Sequence, residues 1–177
     1  ATRLAMRGHF DQAERLAREN QEFGVRTEQA DAGLWFAGQI FTIRLLQDRL
    51  PDMVSEMDDQ VTTVAESVPA WRAAMALVLA HSGGRTDAEA ILEEFASGSF
   101  TQLPRDMLWL NGMSYLSMVC ELVPRPDIAA VIYRALAPFS GMVASNGTID
   151  SGPVDLRLAK APSTSWTELR GTRTGLS

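Results

Sequence analysis

Residues 71–95 of the chain read WRAAMALVLAHSGGRTDAEAILEEF, and this stretch predicts two helices joined by a glycine turn. Apolar residues of the first half recur at the i, i+4, i+7 and i+8 spacing of one helix face: Trp71, Met75, Val78 and Leu79. Gly83 and Gly84 end this helix, because glycine adopts the left-handed C-terminal conformation without a steric penalty. Thr86 and Glu89 have the spacing of a capping box, which predicts the start of a second helix. The apolar face of that helix comprises Ala88, Ile91, Leu92 and Phe95. Helices this short are not stable alone in water, so each must pack on neighbours.

The same helix–turn–helix pattern recurs along the chain. Each turn can be aligned on the residue five positions before the first apolar residue of its second helix: Gly8, Asp48, Gly83 and Pro124. These residues are 40, 35 and 41 positions apart. A period of this length with two helices per unit is typical of an α-solenoid. The sequence therefore predicts an all-α fold, with about four antiparallel helix pairs over residues 1–150.

A predicted N-cap residue and three prolines indicate where the other helices begin. Thr27 is the predicted N-cap of a helix over about 28–47, in which Gly38 allows a neighbour to approach closely. Pro51, Pro104 and Pro126 are predicted to begin helices, since proline suits the first helical turn; the Pro51 helix extends to about residue 67. The predicted apolar faces are Ala13, Leu16, Ala17 and Phe23; Leu34, Phe41 and Leu45; Met53, Met57, Val61 and Val64; Leu108, Tyr115, Leu116 and Val119; and Ile128, Val131, Ile132, Leu136 and Phe139.

The C-terminal part departs from the repeat. Residues 140–150, SGMVASNGTID, are rich in glycine and small residues and predict a loop. Residues 151–161 predict the first helix of a further repeat. Residues 162–177 lack a helical stripe, and we expect an irregular, poorly ordered tail with Trp166 exposed.

Composition narrows the class of protein. The 177 residues have a net charge of −6; residues 1–150 carry −8 and the remainder +2. An acidic body argues against direct nucleic-acid binding, which depends on basic patches. The single cysteine, Cys120, excludes an internal disulfide and fits a reducing, cytoplasmic compartment. No apolar run approaches the roughly 18 residues of a membrane helix.

The chain begins at Ala1 inside a predicted helix, so we expect its natural N-terminus upstream, in a longer protein.

Two turns resemble those of tetratricopeptide repeats. The segment GHFDQAE at 8–14, followed by Leu16 and Ala17, resembles their Gly-x-x-x-x-Ala turn, and Gly83 with Ala88 repeats it. The other two turns have Asp48 and Pro124 where glycine is usual.

Residues 69–96, 103–123 and 129–141 resemble the C-terminal helical-repeat region of large actinobacterial signalling proteins. Those proteins carry an AAA- or STAND-type ATPase module, with an adenylate/guanylate cyclase domain or a LuxR-type helix-turn-helix. The resemblance covers roughly residues 1–160 and implies a right-handed, tetratricopeptide-like superhelix. No phosphate-binding Gly-x-x-x-x-Gly-Lys loop occurs in the sequence. We therefore assign no catalytic residue, cofactor or metal to this chain.

Individual reactive residues have ordinary explanations. A metal or acid–base role for His9 or His81 would need companion ligands at helical spacing, so these histidines are predicted to face solvent or cap helices. Cys120 has apolar neighbours and is predicted to lie in the core rather than act as a redox thiol. The acidic residues Asp52, Glu56, Asp58 and Asp59 are predicted to form a solvated helix face rather than a cation site. The Asn146–Gly147–Thr148 sequon is interpreted as a loop.

The remaining candidates lie on first helices, away from their apolar stripes. In a solenoid these helices line the concave face, where several side chains can contact one ligand. The candidate binding residues are Gln39, Arg44, Arg72, Trp109 and Asn111. We expect a non-catalytic interaction or sensor module that binds a protein or peptide partner, another domain of its own polypeptide, or a small-molecule effector. A constitutive assembly scaffold and a small helical enzyme with an unrecognised site are the alternatives.

Overall fold

The computed structural model describes residues 1–56 and 68–160. These residues are mostly helical with a small two-stranded sheet, which agrees with the predicted all-α class. The helices are α1 (Thr2–Ala5), α2 (Phe10–Arg26), α3 (Ala32–Leu46), α4 (Met53–Glu56), α5 (Pro69–His81), α6 (Arg85–Ser97), α7 (Trp109–Leu122), α8 (Pro126–Leu136) and α9 (Val154–Lys160). The strands are β1 (Val143–Ser145) and β2 (Asp150–Pro153), and single 3₁₀ turns occur at Leu50–Asp52 and Ala137–Phe139.

The predicted helical hairpin of residues 71–95 is present as α5 and α6. Pro69 is the first residue of α5, and Gly83 has the left-handed φ of +88° that ends such a helix. Ala88, Leu92 and Phe95 form the buried face of α6. The prediction that Thr86 and Glu89 form a capping box is wrong, because α6 begins at Arg85 with Gly84 at its N-cap. Thr86 therefore lies inside the helix.

Helix α7 occupies the centre of the fold. It contacts α5, α6, α8, α9 and both strands, and residues 111–116 and 118–120 are buried. Gly112 makes this packing possible: an added Cβ would lie 2.7 Å from Leu103 Cδ2 and 3.5 Å from Ala70 Cα. The prediction that Pro104 begins this helix is wrong. The start is fixed by Asp106, whose Oδ1 accepts a hydrogen bond of 2.8 Å from the Leu108 amide.

The turn between α2 and α3 also differs from the prediction. Thr27 ends α2 instead of beginning α3, because its hydroxyl donates to the Phe23 carbonyl at 3.0 Å. Ala13 and Ala17 are fully buried as predicted, whereas Phe23 is 59% exposed. A side chain near the end of a helix is covered only if another element reaches it, and periodicity does not report this.

The outer helix α8 packs on α7 through three predicted core residues, Ile128, Ile132 and Leu136. Val131, predicted in the same set, is 40% exposed. Arg125, just before α8, pairs with Glu93 and, at 3.3 Å, with Glu89 of α6. This charged contact links α6 to the start of α8, the predicted second helices of two consecutive pairs.

Residues 140–150, predicted as a loop, contain part of an antiparallel β-hairpin. Val143 lies opposite Pro153 and Ser145 opposite Asp150. The helix expected over 151–161 begins only at Val154, because the preceding residues form β2. It packs on α7 and α8.

Other predictions lie outside the described residues. They are the face of Met57, Val61 and Val64, and the tail 162–177 with Trp166.

Candidate interaction face

Helices α3, α5 and α7, the predicted first helices of their pairs, meet through three buried aromatic side chains. The rings of Phe41 and Trp71 lie 6.5 Å apart at 70°, and those of Phe41 and Tyr115 lie 5.1 Å apart at 69°. These are edge-to-face contacts, which are favourable for aromatic pairs. We call the surface formed by α3, α5 and α7 around these rings the inner face.

The β-hairpin lies on the inner face, and its turn is encoded locally. Asn146 Oδ1 accepts hydrogen bonds from the Thr148 amide at 3.0 Å and the Ile149 amide at 2.8 Å. Gly147 has a φ of +88°, which other residues adopt at a cost. Asn-Gly is a strong hairpin signal, and it was available in the sequence. The flanking strands are only three and four residues long, too short for an alternating pattern to identify them.

Polar side chains of the inner face bind the hairpin mainly through its backbone. Asn111 Nδ2 donates to the Ala144 carbonyl at 3.0 Å and to Ser151 Oγ at 2.8 Å. The Asp150 amide donates to Thr42 Oγ1 at 3.4 Å. Two helices of the inner face therefore hydrogen-bond to the two strands of the hairpin.

An apolar contact fixes the hairpin between α3 and α5. A Cβ added to Gly38 would lie 2.7 Å from Ile149 Cδ1, 2.9 Å from Ile149 Cγ1 and 3.4 Å from Trp71 Cζ2. Ile149, which is only 6% exposed, thus fills the notch left by the missing side chain of Gly38. The predicted close approach at Gly38 is confirmed, and the approaching residue belongs to the hairpin.

A small cleft remains under Ile149. Its cavity volume of about 10 Å³ is roughly the space of one water molecule. The residues that line it are Gly38, Phe41, Ala70, Trp71, Ala74, Leu108, Asn111, Tyr115 and Ile149. Within the described part of the chain, the buried atoms Asn111 Oδ1 and Tyr115 Oη have no hydrogen-bond partner.

The Tyr115 hydroxyl is held in its neutral form. Burial raises its pKa far above the usual value, and the nearby side chains of Ser151 and Asn111 only partly oppose this. Neither side chain forms a hydrogen bond with Tyr115 Oη. The cleft therefore offers an amide oxygen and a phenol with unused hydrogen-bonding capacity, surrounded by apolar side chains.

Two of the five candidate binding residues form ion pairs between helices. Arg44, 5% exposed, donates to Glu14 of α2 at 2.8 Å. Hydrogen bonds from Arg44 and Arg18 lower the pKa of the Glu14 carboxyl to about 2. Arg72 pairs with Glu94 of α6. Both arginines thus hold a neighbouring helix.

The other three differ in their surroundings. Trp109 is 6% exposed and lies between the Phe139 ring, 5.2 Å away, and the Arg105 guanidinium, 4.3 Å away. Asn111, 1% exposed, binds the hairpin. Gln39 is half-buried on α3.

In this conformation, Arg44, Trp109 and Asn111 cannot line an open groove, because neighbouring helices, loops and the hairpin cover them. Their position off the main stripe of a helix did not imply exposure. The reason is that α3 and α7 are buried on more than one side.

The residues considered for other chemistry are dispersed. Cys120 is buried, and burial raises the pKa of its thiol to about 12; the core prediction is confirmed. Asp52 forms an ion pair with Arg49 at 2.5 Å. The side chains of the other predicted members of the acidic helix face, Glu56, Asp58 and Asp59, are not among those that the structure describes. His9 is exposed before α2, and His81 is the last residue of α5. Among the described residues, no group of three or more His, Cys, Asp or Glu side chains is placed to hold a metal ion.

No helix within residues 1–56 and 68–160 combines the length and apolar character needed to cross a membrane. No family model, curated protein or solved structure matches the chain.

Proposed function

We propose that this chain is a non-catalytic interaction module whose inner face binds an extended polypeptide segment. One observation carries the proposal: the inner face already holds an extended segment of the same chain. Asn111 and Thr42 bond backbone atoms of the hairpin, and the notch at Gly38 receives an aliphatic side chain. Peptide-binding surfaces generally combine backbone hydrogen bonds, which supply affinity, with pockets that select side chains.

The wider setting follows from the resemblance. The helix pairs form a tetratricopeptide-like, right-handed solenoid within a longer cytoplasmic signalling protein of bacterial type. Partner binding favours one arrangement of the helices and so biases an ATPase, cyclase or DNA-binding module elsewhere in the polypeptide. The bound segment belongs to a partner protein or to another domain of the same polypeptide.

The alternatives make different demands. A constitutive scaffold binds its partner without changing any linked activity, so the two can be separated only in the longer protein. An enzyme would require ionisable groups that converge in a pocket. The cleft described above instead has one amide, one phenol and otherwise apolar side chains, which favours binding.

The proposal can be tested by selecting displayed random peptides on the immobilised full chain and measuring their affinity. Gly38→Ala fills the notch, so in the Ile149→Ala background, in which the hairpin no longer fills it, this substitution should weaken binding at least about tenfold, equivalent to about 1.4 kcal/mol. Gly33→Ala is the matched control, since it makes the same change at an exposed position of α3. Peptides that bind the Ile149→Ala chain and both variants made in it equally would place the binding surface elsewhere.

A thermal-shift screen with nucleotides and sugars tests the small-molecule alternative. A ligand that binds only the folded state raises the unfolding temperature. A reproducible shift without any peptide binding would favour a small-molecule sensor.

A further inference from the structure

We infer that the β-hairpin, residues 143–153, is a displaceable occupant of the inner face that competes with the true ligand. The ligand class follows from this occupant: an extended segment whose branched aliphatic side chain takes the place of Ile149. This inference rests on the proposed function and adds the identity of the selected side chain and a means of regulation.

The contacts of the hairpin with the inner face are ones that another segment can reproduce. Ala144 contributes its carbonyl and Asp150 its amide, and every peptide offers both groups. Ser151 adds a hydroxyl contact. Ile149 provides the side chain that enters the notch between Gly38 and Trp71. Specificity at this face therefore resides mainly in one apolar pocket.

The hairpin also fits the face incompletely. Asn111 is 1% exposed and Tyr115 is 3% exposed, yet across the described ranges neither Asn111 Oδ1 nor Tyr115 Oη is hydrogen-bonded. Leaving buried polar atoms unsatisfied is unfavourable. Both residues line the cleft beneath Ile149. A segment that donates a hydrogen bond into this cleft would therefore make a contact that the hairpin does not make.

Both ends of the hairpin are held by contacts that lie outside the cleft under Ile149. On one side, Ser140 Oγ and the Gly141 amide donate to the Asp155 carboxylate at 2.7 and 3.1 Å. On the other side, Arg157 of α9, 6% exposed, pairs with Glu121 of α7 at 3.2 Å. The hairpin can thus leave the face and remain tethered beside it. Tethering gives it a high effective concentration, so a free segment displaces it only at high concentration or by fitting better.

The test uses the full chain and a labelled peptide with the sequence of residues 142–153, MVASNGTIDSGP, followed by fluorescence anisotropy. Ile149→Ala weakens the internal competitor and leaves the inner face unchanged, so peptide affinity should rise at least about tenfold, given the effective concentrations of short tethers. Val143→Ala is the control, because it shortens an aliphatic residue of the same hairpin that is 47% exposed; its affinity should equal that of wild type. A peptide with serine in place of isoleucine should bind neither variant.

Equal, isoleucine-dependent affinity for wild type and Ile149→Ala would overturn the competition and leave the proposed function standing. Absence of binding to either protein would overturn both. Hydrogen exchange in wild type provides a readout that does not depend on variant folding. At saturating peptide, the Asn146 and Asp150 amides, bonded at 3.2 and 3.4 Å, should lose protection. Unchanged protection with peptide bound would contradict displacement.

Discussion

The contact between Gly38 and Ile149 predicts a strongly non-additive pair of substitutions. Gly38→Ala improves helix propensity by about 1 kcal/mol, but its Cβ would lie 2.7 Å from Ile149 Cδ1. Overpacking of this kind costs about 1–3 kcal/mol, so we expect a net loss of roughly 0–2 kcal/mol. Ile149→Ala removes three buried carbons at about 0.8 kcal/mol each and leaves a cavity, a loss of about 2–4 kcal/mol.

In the double variant, the methyl group introduced by Gly38→Ala enters the space vacated by Ile149. The clash disappears, the gain in helix propensity remains and part of the cavity is filled. We therefore expect the double variant to be more stable than the sum of the single effects by about 1–3 kcal/mol. It should even be more stable than Ile149→Ala alone.

Urea unfolding of the four proteins, followed by tryptophan fluorescence and circular dichroism, measures this coupling. The denaturant slope must stay constant across the set for the free energies to be comparable. Gly33→Ala makes the same change at an exposed position in the first turn of α3, and so controls for adding a methyl group to this helix without the contact to Ile149. Additivity within about 0.5 kcal/mol would show that Ile149 does not occupy the notch, and the inference about the hairpin would fall with it.

Three further predictions concern other parts of the core. The pKa of Glu14 is lowered to about 2 by hydrogen bonds from Arg44 and Arg18, so its stabilising contribution is present above the unfolded value of about 4.5 and is lost as the pH falls through about 2. Because the Glu14 side chain is 25% exposed, Glu14→Gln should lower the free energy of unfolding by roughly 1–2 kcal/mol at neutral pH. It should also flatten the pH dependence of that free energy, measured by urea unfolding, between about pH 2 and 4.5. If the variant loses stability with falling pH as wild type does, the pairing of Glu14 with the two arginines is contradicted. Burial raises the pKa of Cys120 to about 12, so a disulfide reagent at pH 8 should modify the folded chain far more slowly than the denatured chain, and equal rates would show an exposed thiol. Arg157→Ala should destabilise by about 2–4 kcal/mol, since it leaves Glu121 without one partner and removes buried methylenes; Arg157→Met keeps the packing and should lose less in thermal unfolding, whereas equal losses would assign the effect to charge alone.

Local chemistry fixed many of the helix boundaries in advance. Pro69 and Pro126 begin helices because their missing amide hydrogens are not needed in the first turn. Gly83 ends α5 because it accepts a positive φ. The apolar stripe of α6 was also readable, since one face of that helix meets the core. Such signals act within a few residues, so they do not depend on the rest of the fold.

Sequence motifs that are compatible with two different local structures were less informative. Thr27 can cap the start of a helix or bond back to the carbonyls of the helix before it, and the structure shows the second. Asn146–Gly147 specifies a tight turn, but two strands this short form a hairpin only against a supporting surface. That surface is supplied by α3 and α7, which are distant in sequence.

The sequence alone determined that this chain is helical, where several of its turns lie and that Gly38 admits a close neighbour. The tertiary structure decided which neighbour it is, and that Asn111, Trp109 and Arg44 are covered. It also decided that the hairpin, which the sequence presents as a loop, lies on the face predicted to bind a ligand. The physical reason is that periodicity records whether a side chain is apolar, whereas burial depends on which distant segment packs over it.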